Sequence, residues 1–277
     1  MRSAPAPDRY AVIGHPVAHS LSPQIHAAFA RETGQVLSYD TIDATTEQLA
    51  PSVQRFFVAG GCGLNVTVPH KQAALALSDT LSERATTAGA VNTLRREPDG
   101  RIHGDNTDGV GLVRDLTTNL NCALEGQRLL LLGAGGAARG VLAPLLALRP
   151  RVLVIANRTA ARAQALAARF APLGAVVGMG LEELDESPFD LILNATAASL
   201  AGELPPLPSG ALGAASVCYD LAYGRDPTPF VRWARSSGCQ RAYSGLGMLV
   251  EQAAESFFLW RGVRPRTAAV LAVLAGA

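Results

Sequence analysis

The chain has 277 residues, 48% of them hydrophobic and 17% charged, with a formal net charge of +1. That length and apolar share suit one large or two modest packed domains and exclude a disordered chain. The near-neutral balance, with arginines scattered rather than striped, leaves no charged field for nucleic acid or an acidic membrane surface.

Tyr10–Gly14 reads as a short buried strand ending in a turn. Pro23 after Ser22 suits a helix first turn with Ser22 as N-cap, and that helix runs through Ile25, His26 and Phe29 towards Gly34. Ser20 and Ser22 are also able to bind a small anion or hydroxyl beside a helix start. A strand over Ser38–Asp43 and a helix from about Glu47 to Val58 follow, before Gly60–Gly63 breaks the chain.

Leu64–Val68 alternates, which puts Asn65 and Thr67 on one face and Val66 and Val68 on the other. With Lys71 beyond Pro69 they form a polar cluster at a strand end. Lys71 is the only lysine beside 23 arginines. Arginine keeps its proton near neutral pH, whereas a lysine that is desolvated or set beside another charge exchanges it. Lys71 is therefore either a proton-exchanging ammonium or an ordinary surface lysine.

Ala88–Leu94 reads as a strand carrying Asn92, and Arg95–Arg101 as a hairpin turn around Pro98-Asp99-Gly100. Gly104–Gly109 then precedes an amphipathic helix through Val113 and Leu116. Asp105 and Asp108 compete to cap it, and a catalytic role for Asp108 is the alternative.

From Gln127 the pattern changes. Arg128–Leu132 is apolar on both faces, as in a parallel sheet, and it runs into Gly133-Ala134-Gly135-Gly136-Ala137 and a helix. A glycine-rich turn between strand and helix brings backbone N–H groups against a pyrophosphate. The next strand, Arg151–Ala156, ends in Asn157-Arg158-Thr159, with Arg162 one helical turn on. An acidic residue there favours NAD, and arginine there can hold a 2′-phosphate, so the expected cofactor is NADP. Both arginines oppose the dipole of the helix they start, which favours a binding role.

Strands follow at Ala175–Val177, Asp190–Asn194 and Ser216–Leu221, then a helix over Thr228–Ser237 and a strand at Gln240–Tyr243. A helix carrying Glu251, Gln252 and Phe257 and a closing helix after Pro265 complete the chain. The four cysteines (Cys62, Cys122, Cys218, Cys239) form no C-x-x-C pair, as in reduced thiols of a cytoplasmic protein. The first ten residues lack the apolar core of a secretory signal. Arg139 and four glycines interrupt the apolar run from Leu129 to Leu148, so no membrane span is expected there. The five histidines form no H-E-x-x-H motif and no metal site is expected.

Seven stretches together resemble the shikimate dehydrogenase family: His19–Pro23, Asn65–Lys71, Gly89–Thr93, Gly104–Asp108, Gly133–Ala137, Asn157–Thr159 and Gly247–Ala254. The resemblance implies an α/β fold with a Rossmann-type NADP domain at 108–245. A discontinuous α/β substrate domain, 1–107 and 246–277, is completed by the C-terminal helices, with the active site in the cleft. It implies reduction of 3-dehydroshikimate to shikimate by NADPH, in aromatic amino acid biosynthesis, by a monomer or homodimer.

Lys71 and Asp108 are then the catalytic pair. Ser20 and Ser22 hold the substrate carboxylate, and Asn65, Thr67, Asn92, Asp108, Tyr223 and Gln252 line the ring hydroxyls. Thr196, Leu221, Gly245 and Met248 join the glycine turn, Asn157, Arg158, Thr159 and Arg162 around the cofactor. Ala27, Ala197, Ala198 and Ser244 depart from the family's commoner residues. An NAD-dependent quinate/shikimate dehydrogenase and a non-catalytic NADP-binding regulator are the alternatives. Arg158 argues against the first, and the intact Lys71 and Asp108 against the second.

Overall fold

The computed structural model describes residues 6–196, 204, 207–224 and 226–275; the departures at Ala197 and Ala198 lie outside them. Two compact units divide the chain. The first comprises residues up to Gly111 with Leu249–Val273, and the second Leu112–Met248.

The first unit holds β1 (Asp8–Gly14), α1 (Ser22–Thr33), β2 (Leu37–Asp43), α2 (Leu49–Val58) and β3 (Gly61–Val66). After these come β4 (Thr80–Leu81), α3 (Glu83–Ala88), β5 (Thr93–Arg96), β6 (Ile102–Asp105) and the start of α4 (Asp108–Arg114). Its sheet has the order β2-β1-β3-β5-β6-β4. β1 pairs in parallel with β2 and β3, and β5 runs antiparallel to β3 and β6, so the hairpin expected at Arg95–Arg101 is present. Ala11, Ile13, Leu64 and Val66 bury one face against Val53, Phe56 and Phe57 of α2. Each of these side chains larger than alanine contributes about 1.5–3 kcal/mol on leaving water.

Two strand expectations need correction. β3 begins at Gly61 and ends at Val66, so Gly61 and Gly63 of the expected break lie within the strand and Thr67 lies beyond it. The cause is packing. A Cβ at Gly61 would collide with the Phe56 ring, and one at Gly63 with the Trp260 indole. Likewise Ala88 ends α3, and Asn92 precedes β5 rather than lying in a strand from 88 to 94.

Ser22 is not the N-cap of α1. Leu21 occupies that position without a side-chain cap, Ser22 is the first helical residue, and the Ser20 hydroxyl accepts the Ser22 N–H at 3.3 Å. At α4 neither aspartate caps. The Asn106 side chain accepts the Asp108 N–H at 3.1 Å, and Asp105 accepts Arg84 Nε at 2.5 Å and the Ser82 hydroxyl at 2.6 Å.

His26 on α1 lies in an aromatic cluster, stacked on Tyr39 with centroids 4.2 Å apart and bordered by Phe29, Phe257 and Trp260. It is 1% exposed, and neither ring nitrogen reaches a hydrogen-bond partner. Desolvation lowers its pKa to about 3, opposed by the nearby Asn65 side chain. Below its ordinary value of 6.5 the unfolded chain binds a proton that the folded chain refuses, so stability falls as pH falls from 6.5 towards 3. The slope is about 1.4 kcal/mol per pH unit. His26→Phe keeps the ring and removes the titration. Between pH 6.5 and pH 4.5 the parent protein should lose about 2–3 kcal/mol more unfolding free energy than the variant. Parallel pH profiles in urea titrations would sink this.

The second unit holds β7 (Arg128–Leu132), α5 (Gly136–Ala147), β8 (Val152–Asn157), α6 (Ala160–Phe170) and β9 (Val176–Gly180). β10 (Phe189–Asn194), β11 (Leu212–Asp220), α7 (Pro229–Ser236) and β12 (Arg241–Ser244) follow, before α8 (Leu246–Arg261) and α9 (Ala268–Ala275). All its strands pair in parallel, in the order β12-β11-β10-β7-β8-β9. Leu129 and Leu131 pack with α5 and α6, while Leu130 and Leu132 pack with Phe230 and Val231 of α7. The leucine run of β7 is thus buried on both faces, as a doubly wound sheet requires. The units divide inside α4 and α8, at Gly111/Leu112 and Met248/Leu249, where the sequence placed divisions at 107/108 and 245/246. No helix among the described residues is long and apolar enough to cross a membrane.

Candidate active site

Lys71 is held by its neighbours' backbone. Its carbonyl accepts the Val91 N–H at 2.7 Å, and the adjacent His70 donates from its backbone to Thr67 and shares Nε2 with the Ala44 carbonyl at 2.7 Å. From that turn Nζ reaches Asp108 Oδ2 at 2.6 Å, with the two side chains 16% and 3% exposed. Asp108 is fixed independently, because Oδ1 accepts from Asn92 Nδ2 at 2.9 Å. An ammonium has three N–H groups. Among the described residues Nζ donates to no group other than Asp108, so two remain for a ligand oxygen.

Asn92 is the hub of the surrounding network. Its Oδ1 accepts the Thr107 N–H at 2.8 Å and the Thr93 hydroxyl at 2.9 Å, and Nδ2 also reaches Gln252 Oε1 at 3.3 Å. Asn65 joins through Thr93 at 3.2 Å and Ser256 at 3.0 Å, while its Oδ1 accepts the Tyr39 hydroxyl at 2.7 Å. Lys71, Asp108, Asn92, Asn65 and Gln252 therefore belong to one connected constellation. Thr67, Ser20 and Ser22 lie in the same unit on separate turns, and Tyr223 lies half-buried in the second unit.

Sequence reasoning passed over Thr93, Thr107, Asn106, Ser256 and Tyr39. Ser256 sits one helical turn beyond Gln252, so their i, i+4 spacing, which sets both side chains on one face of the helix, was the available signal. Asp105 closes the loop from below. Burial alone would raise its carboxyl, but the Arg84 guanidinium and the Ser82 hydroxyl outweigh that and hold it below its usual value.

In the second unit the glycine turn joins β7 to α5 at a switch point, because β10 and β8 flank β7 on opposite sides. Gly133 has φ +102, and a Cβ there would press on the Ala195 carbonyl at 3.1 Å. Space is open beyond Gly135, the N-cap of α5, so its surface admits a close ligand. Thr196 donates its N–H and hydroxyl to Asn194 Oδ1, the Leu221 N–H donates to the Asn194 carbonyl, and the Gly245 N–H donates to Ala222. Met248 is buried, its N–H on the Tyr219 hydroxyl at 3.0 Å. These four expected cofactor residues come from chain segments at or just beyond the carboxyl ends of β10, β11 and β12.

Asn157 Nδ2 bonds the Thr159 carbonyl and shapes the turn into α6. Arg158 and Arg162 are exposed at that helix start, and among the described residues neither guanidinium has an ion-pair or hydrogen-bond partner. Two unneutralised cations against a helix dipole fit a site for a phosphate monoester. The cradle and the cations together suit NADP. Among the described residues no group of three or more His, Cys, Asp or Glu side chains is arranged to hold a metal ion.

Comparison with known proteins agrees across both units. The shikimate dehydrogenase substrate binding domain matches residues 12–94, shikimate / quinate 5-dehydrogenase matches 115–201, and the shikimate 5'-dehydrogenase C-terminal domain matches 245–275. The shikimate dehydrogenase (NADP(+)) of Alkalilimnicola ehrlichii is 56% identical over 96% of this chain and 98% of its own. An Ael1 enzyme from Pseudomonas putida superposes with a TM-score of 0.88 at 49% identity, covering 96% of this chain and 98% of that one. Shikimate 5-dehydrogenase from Thermus thermophilus, solved with NADP(H) and shikimate, gives 0.81 at 35% identity over 97% and 99%. With 96% of its sequence matched by a curated relative and its fold shared, this chain belongs to the shikimate dehydrogenase (NADP+) family.

Proposed function

We propose that this chain catalyses the reversible reduction of 3-dehydroshikimate to shikimate with NADPH, the first unit taking the substrate and the second the cofactor. The observation that carries this reading is the Lys71–Asp108 pair at 2.6 Å, ringed by amides and hydroxyls suited to a polyol. NADPH supplies the hydride when bound. The protein's part is the proton and the developing charge. As the ketone oxygen becomes an alkoxide, Lys71 Nζ stabilises it and donates a proton, while Asp108 holds the ammonium in place and shares the charge. In the reverse direction Lys71 and Asp108 take the hydroxyl proton.

Ser20 and Ser22 bind the substrate carboxylate, and Thr67, Tyr223 and Gln252 address ring hydroxyls. Asn65 and Asn92 already commit their amides to protein partners, so their main task is to orient Asp108 and its network. Arg158 and Arg162 receive the 2′-phosphate, and the Gly133–Ala137 turn the pyrophosphate. The four free cysteines suit a cytoplasmic enzyme, and we place it there as a monomer or homodimer.

Label transfer tests the reaction. With 3-dehydroshikimate and NADPH carrying deuterium at its transferable position, the shikimate formed should be one mass unit heavier at the carbon bearing the new hydroxyl. Consumption of NADPH without labelled shikimate would contradict the assignment.

A further inference from the structure

The Ser20 hydroxyl sits on a turn tied by a short chain of bonds. The Ser20 N–H donates to the Val17 carbonyl at 3.0 Å, and the Ser20 hydroxyl accepts the Ser22 N–H at 3.3 Å. Val17 is held in turn by Asp43, whose Oδ2 accepts its N–H at 3.3 Å. The other oxygen of Asp43 meets His15 Nδ1 at 2.6 Å. One carboxylate thus grips this segment on both sides of Pro16. Asp43 ends β2 in register with Gly14, the last residue of β1, so it stands on a rigid sheet edge. A further anchor is the His15 N–H on the Val68 carbonyl at 3.0 Å.

The His15 and Asp43 side chains are 49% and 51% exposed, and exposed ion pairs add little stability. The hydrogen bond from His15 is the main influence holding the Asp43 carboxyl below its usual value, so it remains an ionised acceptor. What the pair accomplishes is local. It fixes Val17, and through the Val17–Ser20 bond it fixes the hydroxyl offered to an anion. A loop ordered before binding spares the ligand the cost of ordering it.

We propose that Asp43 is a positioning residue for the substrate carboxylate, acting through Val17 on Ser20, with His15 as its second anchor. This rests on the reading of Ser20 as part of the carboxylate clamp. Asp43 has no bond to Lys71, Asp108 or the network around Asn92, so its loss acts on substrate affinity and not on the chemical step.

The test is steady-state kinetics on Asp43→Ala, Asp43→Asn, Ser20→Ala and the Asp43→Ala/Ser20→Ala double variant, varying shikimate and NADP+ separately. Asp43→Ala should raise KM for shikimate about five- to tenfold, with kcat and KM for NADP+ within about twofold. Asp43→Asn still accepts from Val17 and, with the other imidazole tautomer, donates to His15, so it should stay within about twofold of the parent. The double variant should bind shikimate no more weakly than Ser20→Ala alone, because the two residues act along one path. An unchanged KM in Asp43→Ala overturns the proposal. So does an equal loss towards both substrates, or a double variant whose defects multiply. Ser20→Ala with normal KM is a different result: it removes the clamp itself, and the route proposed for Asp43 goes with it.

Discussion

Lys71→Ala and Lys71→Arg should each lower kcat for shikimate oxidation by about a hundredfold or more. The two substitutions fail for different reasons. Alanine removes both the proton donor and the cation facing Asp108, a carboxylate only 3% exposed. It should therefore also lower the melting temperature, since a buried charge is left without its partner. Arginine keeps that charge but does not release its proton near neutral pH. Lys71→Arg should melt close to the parent and still bind shikimate, yet turn over poorly. Stopped-flow and thermal denaturation on the pair separate charge from proton transfer. A Lys71→Arg enzyme within about threefold of the parent in kcat would show that the ammonium acts only as a charge.

Arg158→Ala should lower kcat/KM for NADP+ by roughly 10- to 100-fold while leaving NAD+ within about twofold. A charge-assisted hydrogen bond to a phosphate contributes about 1.5–3 kcal/mol, and only NADP+ carries the 2′-phosphate. Stability distinguishes this from a structural role. Arg158 stands at the positive end of α6 with no anion among the described residues to neutralise it. Its removal should leave the melting temperature unchanged or slightly higher. An enzyme that loses both cofactors equally and melts early would make Arg158 part of the fold.

Much of the second unit was legible because its signals are local. A leucine run apolar on both faces, a glycine turn and an arginine at the next strand end follow one another within about thirty residues, the span of one βαβ unit. The first unit was harder to read. β3 hid behind Gly61 and Gly63, which look like punctuation but are sites where Phe56 and Trp260 press on the strand. Lys71 stood out by its rarity. Asp108 was readable as a cap or a catalytic carboxylate, but only the family resemblance paired it with Lys71, because the two lie 37 positions apart and meet only after β5 and β6 fold back on β3.

The hydroxyls of Thr93 and Thr107 left no trace in composition or spacing. Ser256 is 163 positions from Thr93 in sequence yet 3.0 Å away in the fold. Ser22 shows the opposite error. A serine before an apolar helix suggests a cap, but the helix already includes Ser22, and Ser20 takes up its N–H.

The most direct test of the account is shikimate oxidation by the purified protein, followed by the appearance of reduced nicotinamide, with NADP+ and NAD+ compared at equal concentration. Turnover with NADP+, and kcat/KM for it at least about tenfold above that for NAD+, is the result these residues predict. No turnover with either cofactor, or a preference for NAD+, would contradict the account.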